Sequence, residues 1–226
     1  MSEQLLEAIV TETGAKPTAG VIWMHGLGAD GNDFVPIVQE LDLCGAPDIR
    51  FVFPHAPMQP VSINNGHVMR AWYDVKWGDL EGKSKQADEP GVRASQAAIA
   101  RLIDREIAGG IAADKIVLAG FSQGGAIALQ TGLRYRKKLA GIMALSTYLP
   151  LAETLAHEAA QENLQTPIFM AHGAQDGVVP YAMGVRSRDV LVERGYDVEW
   201  KEYPMQHSVC IEEIGAVAAW LKKVLA

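Results

Sequence analysis

Ile116-Val117-Leu118-Ala119-Gly120-Phe121-Ser122-Gln123-Gly124-Gly125 decides how this chain folds. Its first four residues are a short apolar run, the pattern of a buried strand. Beyond Gly125, apolar residues recur at Ile127, Leu129 and Leu133, the spacing of a helix face. The Gly-x-Ser-x-Gly between them predicts a sharp strand-to-helix turn that presents the Ser122 hydroxyl. A serine in such a turn has strained backbone angles. Glycines two residues before and two after it remove side chains that would collide. The five-residue pattern alone is weakly specific; its place between a strand and a helix makes it strong.

Outward from this turn, apolar strand-like runs alternate with helix-like segments. Strands are expected at 21–24, 49–53, 116–119, 139–144, 168–171 and 198–203, and helices at 91–108, 125–136, 182–194 and 211–225. That alternation predicts an α/β protein with a mostly parallel central sheet and helices on both faces. No internal repeat or long polar linker interrupts it, so residues 1–226 are expected to form a single domain. The region 54–89 fits no clean period. It holds three prolines, the run Asn64-Asn65-Gly66, Trp72 and Trp77, and a charged stretch from Asp79 to Glu89. Loops of this length in compact domains tend to be functional.

Composition narrows the function. Apolar residues make up 49 % and charged residues 21 % of 226, ordinary for a globular protein, and the net charge is −7 with no basic block. Nucleic acid and anionic membrane are therefore not expected as partners. Cys44 and Cys210 lie in no metal-ligand spacing, so no zinc site is expected and both read as reduced thiols. Neither a secretory signal nor an apolar run of membrane-spanning length is visible. The expected location is the cytoplasm, without stable membrane insertion.

A serine hydroxyl needs a base to take its proton and an acid to hold that base in the right tautomer. In α/β-hydrolases, which carry their serine on such a turn, the chain order is serine, acid, histidine. Of six histidines, His25, His55 and His67 precede Ser122 and fail that order. His157 and His172 could be served only by Glu153, Glu158 or Glu162, in a polar segment, because no aspartate lies between Ser122 and His172. His207 follows Asp176, Asp189 and Asp197. Asp176 lies just beyond a strand, at the carboxyl edge of the sheet where open α/β folds place their sites. Asp189 falls inside a helix and Asp197 precedes a strand. The expected triad is Ser122, Asp176 and His207. The oxyanion needs backbone donors; the N–H groups of Gln123, after the nucleophile, and of Leu27, in His25-Gly26-Leu27-Gly28 after an early strand, are the candidates. His25 is read as ordering that loop, not as a base.

Several segments together resemble one family. They are His25-Gly26-Leu27-Gly28-Ala29-Asp30-Gly31-Asn32-Asp33-Phe34, Ala71-Trp72-Tyr73-Asp74, the serine turn, Asp176-Gly177-Val178-Val179-Pro180 and His207-Ser208-Val209. From the first strand to the last helix, the chain resembles the phospholipase/carboxylesterase family of α/β-hydrolases, which includes bacterial carboxylesterases and acyl-protein thioesterases. The resemblance implies an α/β-hydrolase fold and hydrolysis of carboxylic esters or thioesters, with Ser122, Asp176 and His207 in the triad positions. It further implies an acyl groove near Leu27, Trp72 and Val179, rimmed by 61–69. Bacterial esterases of the family can be dimers, so a homodimer is compatible with it, although no interface is legible in the residues.

The expected chemistry uses no metal and no cofactor. His207 takes the Ser122 proton during attack on the acyl carbonyl, the oxyanion rests on Leu27 and Gln123, and water activated by His207 releases the acid. The partner is a small-molecule or lipid ester. Three other readings stay open: a lysophospholipase, an acyl-protein thioesterase, and a hydrolase-fold protein that binds a ligand without catalysis.

Overall fold

The computed structural model describes residues 5–76, 78, 79 and 88–226. Trp77 and most of the charged stretch beyond Asp79 lie outside the described residues. Among those described, nine strands are present: β1 (Ala8–Glu12), β2 (Ala19–Met24), β3 (Ile49–Pro54), β4 (Met58–Val61), β5 (His67–Arg70), β6 (Ile116–Phe121), β7 (Gly141–Leu145), β8 (Ile168–Gly173) and β9 (Val198–Tyr203). The helices are α1 (Ile37–Glu40), α2 (Glu89–Ala108), α3 (Gln123–Gly132), α4 (Leu155–Glu158), α5 (Tyr181–Glu193) and α6 (Ile211–Leu225).

Seven strands form one sheet in the order β1-β3-β2-β6-β7-β8-β9. All neighbouring pairs are parallel except β1 with β3, which runs antiparallel at the edge. The α/β-hydrolase expectation of a mostly parallel, doubly covered sheet therefore holds. The central strands read as nearly continuous apolar runs because both of their faces are covered. Alternate residues supply two separate cores. Ile22, Leu118, Ile142 and Met170 meet α2 and α3, whereas Val21, Val117, Met143 and Phe169 meet α1 and α6. Among the described residues, no helix is long and apolar enough to cross a membrane.

Helix ends follow from local chemistry. Asp88 caps α2 by accepting the Gly91 N–H at 3.1 Å, with Pro90 in the first turn. Lys222 and Lys223 sit in the last turn of α6, where a positive charge complements the helix dipole.

Several element expectations need correction. The predicted strand 139–144 starts at Gly141; Leu139 and Ala140 are buried ahead of it. The predicted helix 125–136 starts at Gln123 and ends at Gly132. β1 was not expected, because an edge strand with mixed burial carries little apolar signal. The region 54–89 is also less irregular than its sequence suggests. β4 and β5 pair as an antiparallel hairpin with Val61 opposite His67. Asn65 and Gly66 take positive φ at its tip, the conformation an Asn-Gly turn supplies.

Candidate active site

Because the sheet is parallel at its centre, the loops leaving β2, β6, β8 and β9 emerge at one edge, and each carries a residue singled out above. Ser122 follows β6 with φ 53° and ψ −122°, the strained geometry expected of it. A Cβ at Gly120 would run into the backbone of Gly124, and one at Gly124 into the Met24 carbonyl oxygen. The turn is held from both sides. The Ser122 N–H donates to the Leu145 carbonyl at 2.8 Å, and Thr147 Oγ1 donates to the Ser122 carbonyl at 2.6 Å.

The structure brings Ser122, His207 and Asp176 together. His207 Nε2 stands 2.9 Å from Ser122 Oγ, and its Nδ1 stands 2.7 Å from Asp176 Oδ2. A carboxylate only accepts, so Nδ1 carries the proton and Nε2 is left as the acceptor facing the serine. Asp176 Oδ1 accepts the N–H groups of Val178 at 2.8 Å and Val179 at 2.9 Å, which fixes the carboxylate's orientation. Its side chain is fully buried. Phe121 packs against the His207 ring with centroids 4.7 Å apart.

A second histidine, His172, also approaches this carboxylate, its Nε2 3.4 Å from Asp176 Oδ2. That nitrogen donates to the Val179 carbonyl at 2.9 Å. Burial lowers the His172 pKa, so the ring is neutral and the contact is no ion pair. The other acids considered lie elsewhere. Glu158 is spent on Arg93 and Arg134 at 2.7 Å each, and the Arg93 hydrogen bond leads the interactions that pull its carboxyl down to about 2. Asp189 pairs with Arg188 on the exposed side of α5, and Asp197 precedes β9 at the far edge. Arg93, Arg134 and Glu158 line a polar cleft of about 520 Å³, with their charges directed at one another.

The His25–Gly28 loop is bolted down by His25. Its Nε2 accepts the Ala56 N–H at 3.0 Å, so Nδ1 holds the proton and donates to the Gly26 carbonyl at 2.7 Å. Burial lowers its pKa and keeps the ring neutral. Neither the Leu27 nor the Gln123 backbone N–H meets an acceptor among the described residues. Both residues line the pocket that opens on Ser122, and Gln123 is the first residue of α3, where N–H groups are free of helical partners.

That pocket measures about 180 Å³ and is lined by Leu27, Ile63, Tyr73, Val75, Tyr148 and Val179 around Ser122 and Gln123. Val179 and the rim residues Ile63 and Asn64 thus stand where a groove was expected. Trp72 does not. It is buried away from the pocket, its backbone N–H donating to Gln123 Oε1 at 2.8 Å and its indole Nε1 to the His25 carbonyl at 2.9 Å. A large aromatic in a loop needed a surface to pack on, and it found the core under the His25 loop instead of the substrate cleft. Its neighbour Tyr73 takes the pocket position, and Gln123 Nε2 donates to the Tyr73 carbonyl at 2.7 Å. The sequence reading missed Tyr73, Val75, Tyr148 and the clasp made by the Gln123 side chain; only the Ala71–Asp74 motif pointed toward them.

Comparison with known proteins agrees with this geometry. Residues 6–225 match the family model described as phospholipase/carboxylesterase. An acyl-protein thioesterase 1 from Neurospora crassa is 44 % identical over 222 residues, covering 93 % of this chain and 89 % of that protein. Among solved structures, Arabidopsis thaliana SOBER1 superposes with a TM-score of 0.83 at 33 % identity, covering 92 % of this chain and 99 % of that one. Zea mays acyl-protein thioesterase 2 superposes with a TM-score of 0.82 at 31 % identity, covering 97 % and 99 % of the two chains. The chain belongs to the phospholipase/carboxylesterase family and is a serine hydrolase of the α/β-hydrolase fold.

Proposed function

We propose that this protein is a carboxylesterase that hydrolyses short-chain carboxylic esters through an acyl-enzyme on Ser122. The observation that carries the reading is the unbroken chain Asp176–His207–Ser122, at 2.7 Å and 2.9 Å, opening on an apolar pocket. His207 Nε2 accepts the Ser122 proton as Oγ attacks the acyl carbon, and Asp176 stabilises the imidazolium that results. The developing oxyanion is taken up by the N–H groups of Leu27 and Gln123, which are free to receive it. His207 then returns the proton to the leaving alcohol. A water deprotonated by the same nitrogen attacks the acyl-enzyme and frees Ser122. The small pocket, about 180 Å³, favours short acyl groups, since a cavity of about 150 Å³ takes a ligand the size of benzene. Two free thiols, Cys44 and Cys210, fit a reducing compartment such as the cytoplasm.

The test is intact mass after fluorophosphonate treatment, combined with turnover of a butanoate ester. A single adduct on the wild type, none on Ser122→Ala, and a fall in kcat of about 10⁶-fold are expected. An adduct that survives Ser122→Ala would remove the assignment. A second reading, acyl-protein thioesterase, rests on the thioesterase relatives, one of them 44 % identical. The same site would expel a thiolate as readily as an alkoxide. A higher kcat/KM for a long-chain thioester than for a butanoate ester would favour it.

A further inference from the structure

Apart from Ser122, Gln123 and Asn64, the pocket lining is apolar except where two phenols meet. The Tyr73 and Tyr148 hydroxyls, contributed by segments far apart in sequence, meet at 2.9 Å, and both residues line the cavity. The other polar groups of the lining are accounted for. The Gln123 amide is consumed by Trp72 and Tyr73, Asn64 is exposed at the rim, and Ser122 faces His207.

Counting protons at the pair shows a surplus. Each phenol carries one hydroxyl hydrogen, and only one can lie between the two oxygens. The second has no acceptor among the described residues. Burying a donor without a partner is costly, and such groups in native proteins are nearly always satisfied by water or by a ligand. Neither phenol escapes the cost by ionising. Burial holds the Tyr73 pKa well above its ordinary value and pushes Tyr148 up to about 12, with the field of Asp79 adding to both. The pair therefore presents a neutral O–H donor, polarised by the hydrogen bond behind it, to whatever fills the pocket.

We propose that the Tyr73–Tyr148 pair selects acyl groups that carry an oxygen: short chains with a keto or hydroxyl oxygen a few carbons beyond the scissile carbonyl. The oxygen accepts the surplus proton, and a plain alkyl chain of the same shape leaves it unpaired. A site built around a buried donor discriminates against the analogue that lacks the acceptor. This substrate class rests on the serine hydrolase reading of the same site and narrows it.

The probes are p-nitrophenyl levulinate and p-nitrophenyl 4-methylpentanoate, which differ by a carbonyl oxygen against a methyl group, together with the pair one carbon longer. Each kcat/KM is divided by the ester's own hydroxide-catalysed rate, which removes differences in intrinsic reactivity. The wild type is expected to favour the oxo ester by about 3- to 10-fold at one of the two lengths, the worth of one neutral hydrogen bond. In the double variant Tyr73→Phe/Tyr148→Phe the preference should vanish or invert. Removing both hydroxyls leaves no orphan, so that variant is expected to fold. A wild-type ratio at or below one at both lengths overturns the proposal without any variant, and so does a preference that survives the double substitution. Serine-dependent turnover of the methyl-branched acyl esters alone would overturn the proposal and leave the hydrolase assignment standing. Loss of all turnover dependent on Ser122 would remove both.

Discussion

Two acids among the described residues have fully buried side chains, and they live under opposite conditions. Asp176, in the loop after β8, receives two backbone N–H groups and the His207 ring. Glu213, in the first turn of α6, has neither carboxylate oxygen in a hydrogen bond among the described residues. Burial alone disfavours a negative charge in both places. At Asp176 three donors meet the buried carboxylate and hold it facing a histidine. At Glu213 no donor among the described residues does so, and burial pushes the carboxyl up to about 8. The Cys210 backbone N–H lies near enough to oppose the shift but forms no well-aligned bond. What a buried carboxyl does in the fold is thus decided by the donors it meets.

The largest expected effect breaks the donor set at Asp176. In Asp176→Asn the carboxamide oxygen would stay on the Val178 and Val179 N–H groups, since those two donors need an acceptor. The amide NH₂ would then face His207 Nδ1 and force it to accept. Nε2 would carry the proton and could no longer take one from Ser122. A loss in kcat of about 10⁴-fold with little change in melting temperature is expected, as for the same exchange in serine proteases. A loss below about 10-fold would mean that the tautomer is not set by Asp176.

An intermediate effect is expected at Gln123, where the serine turn and the pocket wall are joined by one side chain. Truncation in Gln123→Ala leaves the Trp72 N–H and the Tyr73 carbonyl without partners, while the Gln123 backbone N–H stays available for an oxyanion. Two buried groups left unpaired cost about 3 kcal/mol. The released Tyr73 should raise KM by about 10-fold and leave kcat within a few fold. Steady-state kinetics beside a thermal melt separate the two parts, and a fall in kcat with an unchanged KM would contradict this division.

These two sites also mark how far the sequence could be read. The nucleophile turn, the order of acid and base, and the central strands are properties of contiguous residues. Glycine at 120 is required by the Gly124 backbone within the turn itself, so there pattern and cause coincide, whereas glycine at 124 answers to the Met24 and His25 carbonyls at the end of β2. The pocket is different in kind. Its wall draws on Ile63, Val75, Tyr148 and Val178, four segments that neighbour one another only after the sheet has formed. Trp72 could not be told from Tyr73 as a pocket residue by type, because both are aromatic and which one faces the cleft depends on the Gln123 clasp. Glu213 is an intermediate case. An acid in the first turn of a helix ordinarily sits in solvent, where it complements the helix dipole. Yet Val217, Trp220 and Leu221 follow at spacings of four, seven and eight, which put Glu213 on the buried stripe of α6.

The expected effect with the least bearing on catalysis tests the other half of the comparison, through the pH dependence of stability. An ordinary glutamate titrates at 4.5, and Glu213 in the fold at about 8. Between those values the unfolded chain has lost the proton and the folded chain retains it, so folding takes up a proton. Stability from this group is then greatest below pH 4.5, declines as pH rises, and levels off above about 8. Glu213→Gln has a similar shape and no titration, so the variant should gain on the wild type as pH rises. Melting curves at pH 5 and pH 8 should show the difference moving in the variant's favour by about 3.5 kcal/mol, or about 7–14 °C. A difference that stays constant over that range would mean that Glu213 is charged in the fold and has found a donor. Its relation to Asp176 would then be one of likeness, two buried carboxylates each held by partners.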